Sequence, residues 1–218
     1  GTRKYRVQVP YYIVQIHFSQ KEFDEVISYG EQSLQDSEVQ KKVEIGQMVG
    51  MAYFEKGEYA KALPYLNEYA SRSNSLKDAE LYTVGYVNYH AKAYDKAIEF
   101  FRRAASSNDQ IGQQSNYYLG MSYTKTGERA LARTAFAKAA NMKFVPEIAE
   151  DALFQYAKLY VELNADKEAI ETLLKVPVSS KNYAEAQDLI ADVLQKTKDY
   201  ENAIKVIESF RTSFAAVE

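Results

Sequence analysis

Residues Leu81–Ala104 read LYTVGYVNYHAKAYDKAIEFFRRA: an apolar stripe, a short break at Lys92-Ala93, then a second apolar stripe. Moved back by about 35 residues, the stretch lies over MVGMAYFEKGEYAKALPYLNEYA (Met48–Ala70). Moved forward, it lies over YLGMSYTKTGERALARTAFAKAA (Tyr118–Ala140). A two-stripe unit that returns at this period is a repeated helical hairpin. One hairpin cannot bury its apolar face alone, so stacked neighbours supply the core.

Two columns of small residues fix the register. The first holds Val14, Gly50, Gly85, Gly120, Ala157 and Ala191, with steps of 36, 35, 35, 37 and 34. The second, twelve residues on, holds Val26, Ala62, Ala97, Ala132, Ala169 and Ala203. Each pair marks a close crossing of two antiparallel helices, where only small side chains let backbones approach. Packing residues recur at helical spacing from these columns: Tyr53, Tyr123, Tyr160 and Leu194 after the first, and Leu66, Phe101, Phe136, Leu173 and Ile207 after the second. His17, Asn88 and Gly30 depart from the pattern. Gly57, Gly127 and Asn164 share a column just past the first helix, where a left-handed residue ends a helix, and Lys21, Lys92 and Lys198 fill it elsewhere.

Ser37 with Gln40 reads as a capping box, Pro146 as a first-turn residue, Pro177 as a helix stop, and Pro64 as lying near a helix start. The pattern predicts twelve helices, at 7–20, 22–34, 38–56, 59–72, 77–91, 94–106, 111–126, 129–141, 147–163, 166–175, 181–197 and 200–214. Residues 1–6 form a basic lead-in. Residues 7–214 are expected as a single domain with repeats at 7–42, 43–77, 78–112, 113–149, 150–183 and 184–214.

These residues resemble the tetratricopeptide repeat family. The resemblance is carried by Gly50 with Tyr53, Gly120 with Tyr123, the aromatics Tyr59, Tyr94 and Tyr200, and the alanine column from Ala62 to Ala203. The family's tryptophan is absent, as is the proline that often closes a unit. The resemblance implies an all-α, right-handed α-solenoid superhelix of about six helix-turn-helix repeats. In that geometry the first helix of each pair lines a concave groove, and such folds commonly serve as protein-binding scaffolds.

Bulk properties narrow the function. A net charge of −3 gives no general attraction to nucleic acid or anionic lipid. No apolar run is long enough to span a bilayer. The absence of cysteine removes disulfides, thiolate metal sites and a thiol nucleophile. Gly1 stands where an initiator Met is usual and is read as a trimmed start; with the missing cysteine this tilts the expected compartment toward an exported or periplasmic one. The two histidines lie far apart in the register, the glycines fall one per repeat instead of in a phosphate loop, and no catalytic triad can be built. His17 is read as a packing residue, and His90 as a surface or ligand-contact residue at the groove rim. No catalysis, cofactor or metal is expected.

The surplus is tyrosine, with 19 in 218 residues. Tyr82, Tyr86 and Tyr89 stand at i, i+4 and i+7, on a face apart from the packing residues Leu81, Val84, Gly85 and Asn88. In the family's geometry that face looks into the groove. Equivalent columns bring in Tyr11, Phe18, Met51, Phe54, Tyr117 and Met121, with His90 beside them, and turn acidic at Asp188 and Asp192. Two readings fit: these side chains pack on neighbouring first helices, or they line a groove for a peptide or extended partner segment. Tyr and Met suit the second, since both are enriched at interaction surfaces. Where some relatives place Lys, Arg and Asn to clamp a C-terminal carboxylate, this chain holds Tyr82, Tyr86, Tyr117 and Met121. The alternative class is an assembly element, self-associating through the groove or through Ile207, Phe210 and Phe214 on an uncapped last helix.

Overall fold

The computed structural model describes residues 2–198 together with Glu201, Ile204, Lys205 and Glu208. Among the described residues there are eleven α-helices and no strand. They are α1 (Thr2–Ser19), α2 (Phe23–Gln35), α3 (Lys42–Glu55), α4 (Tyr59–Arg72), α5 (Asp78–His90), α6 (Tyr94–Ala104), α7 (Gln110–Thr126), α8 (Arg129–Asn141), α9 (Pro146–Glu162), α10 (Asp166–Leu173) and α11 (Tyr183–Thr197). Of the expected helix at 200–214 only Glu201, Ile204, Lys205 and Glu208 are described, all helical, and Tyr200, Ala203, Ile207, Phe210 and Phe214 lie outside the described residues.

Contacts divide the chain into two compact units, Gly1–Thr126 and Gly127–Glu218. In the first, α1 to α7 stack so that each odd helix packs on the even helix before it, as α3 does on α2 and α5 on α4. Odd helices also touch each other, α1 with α3 and α5 with α7. In the second unit α9 packs on α8 and α10, and α11 packs on α10.

The small-residue columns do what the spacing predicts, with one exception. Val14, Ala157 and every member of the second column from Val26 to Ala169 are fully buried. At Gly50 a Cβ would stand 2.9 Å from Leu66, and at Gly85 it would stand 2.8 Å from the Phe101 ring, so the missing side chain is the space the packing residue fills. Burying Phe101 in this way contributes about 2–3 kcal/mol. Ala191 is the exception and is exposed. The buried face of α11 is instead Ala186, Ile190 and Val193, which packs toward α10.

The departures in the sequence pattern have local compensations. Gly30 leaves room beside α3 that Val49 occupies. Asn88, buried at a packing column, donates to Asn67 Oδ1 (2.9 Å) and to the Val84 carbonyl (2.7 Å). His17 is not a core residue: its Nδ1 lies 2.6 Å from Glu22 Oε2 across the turn, with the side chain partly exposed.

The turn column is left-handed in all six repeats. Gly57 and Gly127 have φ of 74° and 84°, and Lys21, Lys92, Asn164 and Lys198 have φ between 53° and 61°. The hydrogen bonds are those of a helix stop: Lys92 N–H to Tyr89 O, and Ala93 N–H to Asn88 O, both 2.9 Å.

Two helix starts differ from expectation by four residues or more. Helix α1 already runs from Thr2, so the basic lead-in is helical. Helix α3 starts at Lys42 and not at 38, because Asp36 Oδ1 takes the Glu38 N–H (2.9 Å) and Gln40 N–H bonds the Val7 carbonyl (2.9 Å), which holds 36–40 as a loop. The cap read at Ser37 and Gln40 is therefore not formed; a Glu80 carboxylate on the Lys77 N–H (2.9 Å) caps α5 in the same style. Pro64 sits in the second turn of α4, where its missing N–H leaves the carbonyl of the exposed Ala60 to solvent. Pro146 opens α9 as predicted.

Candidate functional site

In the first unit, α5 carries Leu81, Val84, Gly85 and Asn88 inward and leaves Tyr82, Tyr86 and Tyr89 half-buried on an adjoining face. That face meets α3, α4 and α7. Tyr86 is the hub. Its ring lies 5.7 Å from Phe54, 5.2 Å from Tyr59, 4.5 Å from His90 and 4.9 Å from Tyr118, centroid to centroid. Most of these contacts are edge-to-face, the geometry in which the positive rim of one ring meets the negative face of another. Tyr82 touches Phe101 and Tyr118, and Tyr89 touches Tyr94 and Tyr118.

The rings of Tyr59, Tyr86 and Tyr118 meet edge to face in series, linking α4, α5 and α7. Burial, with the neighbouring Tyr118 hydroxyl, pushes the Tyr86 phenol up to about 12, and burial lifts Tyr82, Tyr89 and Tyr118 above their ordinary range. All these phenols are neutral at pH 7. His90 lies between the faces of Tyr59 (4.6 Å) and Tyr86, exposed at the rim, and partial burial lowers its pKa. Beside it opens a cleft of about 410 Å³ lined by residues 57–61, His90 and Ala91.

Of the residues singled out in the sequence, Phe54, Tyr82, Tyr86, Tyr89 and His90 come together here. Tyr117 joins through Tyr118 (5.2 Å). Met51 is half-buried against the same core, and Met121 is half-buried on α7. Tyr11 and Phe18 stand apart on α1: Tyr11 lies under Lys41 Nζ (4.1 Å), and Phe18 packs on Phe23. Sequence reasoning missed Tyr118, and placed Tyr59 and Tyr94 only as inter-helix packing. No pattern marks Tyr118: its column holds Tyr12, Met48 and Thr83 in the earlier repeats.

Polar brackets tie the helices of the first unit together. Glu31 Oε1 accepts from the hydroxyls of Tyr53 (2.8 Å) and Tyr65 (2.9 Å), joining α2, α3 and α4. Glu80 Oε1 accepts from Tyr69 (2.9 Å) and Gln47 (2.8 Å). These carboxylates are occupied as acceptors within the fold. Among the described residues no group of three His, Asp or Glu could hold a metal ion, and no helix is long and apolar enough to cross a membrane. What the cluster offers chemically is neutral aromatic faces, hydroxyl tips and one rim imidazole.

Sequence models of the tetratricopeptide repeat match residues 48–115, 114–141 with 151–177, and 184–209. No curated protein sequence matches the chain. Among solved structures, MamA is similar at a TM-score of 0.59 with 19% identity, over 87% of this chain and 97% of that one. YrrB, described as a TPR protein with an unusual peptide-binding site, is similar at 0.61 with 18% identity, over 85% and 88%. A MamA fragment from Desulfovibrio magneticus RS-1 gives 0.58 and 19%, over 84% and 94%. At these identities the likeness speaks for the fold. The family models, together covering more than half of the residues, settle the kinship: the chain belongs to the tetratricopeptide repeat family.

Proposed function

We propose that the chain is a non-catalytic interaction scaffold that holds a peptide or extended partner segment against the aromatic cluster of its first unit. The observation that carries this is the rim at His90. There, an exposed imidazole on two tyrosine rings borders a cleft of about 410 Å³. Rigid rings with polar tips give large contact area at low entropic cost, and aromatic anchors dominate the energetics of small interfaces. The peptide-binding site in the description of YrrB is consistent with this use of the fold.

His90 is the discriminating residue, since it is exposed and its removal leaves the core untouched. Peptides selected from a random display library on the wild-type chain should bind His90→Ala about tenfold more weakly, with unchanged circular dichroism. Equal affinity for both proteins, or no selectable peptide, would overturn the assignment.

A further inference from the structure

Helix α1 carries a second surface that the aromatic cluster does not use. Tyr5, Val9, Tyr12 and Ile16 are spaced 4, 3 and 4 residues apart and form one apolar stripe, exposed at 68%, 41%, 52% and 55%. At the columns of Val9, Tyr12 and Ile16 every later first helix is buried or half-buried. At the column of Ile16 the later repeats place Ala52, Val87, Ser122, Leu159 and Val193, and all five are buried. In each case the cover is the second helix of the repeat before: α2 on α3, α4 on α5, α6 on α7, α8 on α9 and α10 on α11. The register therefore says what the α1 stripe is shaped to receive, namely a helix laid antiparallel along it.

We propose that the occupant is α1 of a second copy of this chain, giving an antiparallel, two-fold symmetric helix pair. The 4-3-4 spacing is that of a coiled-coil seam. Turned about an axis between positions 9 and 12, the stripe is complementary to itself: Val9 meets Tyr12, and Tyr5 meets Ile16, so each ring faces an aliphatic side chain. The flanks of the helix are neutral at Gln8 and Gln15, Arg6 falls opposite Gln15 of the second copy, and Lys41 Nζ, 6.0 Å over the Tyr12 ring, lies at the edge of the seam. The seam spans about 17 Å at 1.5 Å per residue, short for a stable interface. The dimer is accordingly weak, with dissociation on the order of 10–100 µM.

Sedimentation equilibrium from about 5 to 300 µM tests this. The wild-type mass should rise toward twice that of one chain, and Val9→Glu with Ile16→Glu should raise the dissociation constant at least tenfold. Both positions are exposed and Glu is a good helix former, so unchanged thermal unfolding is expected to accompany the loss. His90→Ala should dimerise like wild type, which separates failure here from failure at the aromatic cluster. The cysteine-free background gives a direct check of direction. Mixed Val9→Cys and Tyr12→Cys chains should cross-link to each other in preference to themselves. A single-chain mass at every concentration overturns the proposal, whichever other helix then covers the face. So does a doubled mass that the two glutamates leave unchanged, and so does preferential cross-linking of like with like.

Discussion

Tyr86 of α5 and Tyr118 of α7 meet edge to face with ring centroids 4.9 Å apart. The contact joins the first helices of consecutive repeats through aromatic side chains. The Tyr86 ring also meets Tyr59 edge to face at 5.2 Å, so it is the middle of a series.

Truncating that middle ring should cost measurably. Tyr86→Leu is expected to lower unfolding free energy by about 1–2 kcal/mol, since edge-to-face pairs are worth about 0.5–1.5 kcal/mol beyond area burial. Tyr118→Leu should cost a similar amount. Since the two share one ring contact, the double variant should cost less than the sum, by about 0.5 kcal/mol or more. Urea unfolding of the three variants reads this, and strict additivity would show that the two rings do not interact.

The turn column gives a second prediction, with opposite signs at two sites. Lys92 holds a φ of 61°, where a Cβ crowds the following carbonyl, whereas Gly57 holds 74° freely. Lys92→Gly should gain about 0.5–1 kcal/mol, relief of strain outweighing the greater freedom of the unfolded chain. Gly57→Lys should lose about 1 kcal/mol. Thermal unfolding that moves both variants in one direction would contradict the shared geometry.

Much of this fold could be read from single residues, and that column shows why. The hairpin repeats because small residues recur where helices cross, and Gly50, Gly85 and Ala157 declare that directly. The lysines at 21, 92 and 198 declare nothing by type, but their register places them, and the backbone there is left-handed all the same. Tyr118 was hidden for a different reason. It is one residue from Tyr117, hence about 100° around the helix, and which of the two faces α5 depends on the rotation between repeats. The period of a single repeat does not encode that rotation. Glu31 was equally illegible: an exposed-looking acid on α2 becomes the shared acceptor of Tyr53 and Tyr65 only once three helices converge.

That convergence predicts an alkaline limit to stability. Burial, then the bond to Glu31, pushes the phenols of Tyr53 and Tyr65 up to about 12, against 10.0 for a free tyrosine. The folded state thus holds these protons more tightly than the unfolded state. Their contribution to stability is complete below pH 10 and is lost as pH rises from 10 to 12. Tyrosinate absorbance should show an early class near pH 10 and a late class near 12. Glu31→Gln keeps an acceptor but removes the negative charge, so part of the late class should move to lower pH. A late class unmoved by Glu31→Gln would leave burial as its sole cause.

Gly85 and Gly46 separate two effects that a helical glycine always mixes. Both lie inside helices, where alanine is favoured by about 1 kcal/mol through backbone entropy alone. At Gly46 a Cβ would stand 3.7 Å from the Tyr65 ring, an ordinary contact, so Gly46→Ala should stabilise by about 0.5–1 kcal/mol. At Gly85 it would stand 2.8 Å from two ring carbons of Phe101, which is fully buried and cannot swing away. Overpacking of that kind costs about 1–3 kcal/mol, so the clash outweighs the propensity gain and Gly85→Ala should destabilise the first unit. Adding Phe101→Leu to Gly85→Ala should recover part of the loss, because the smaller side chain vacates the space the new methyl needs. If Gly85→Ala instead stabilises as Gly46→Ala does, the α5–α6 crossing is looser than the contact between Gly85 and Phe101 requires.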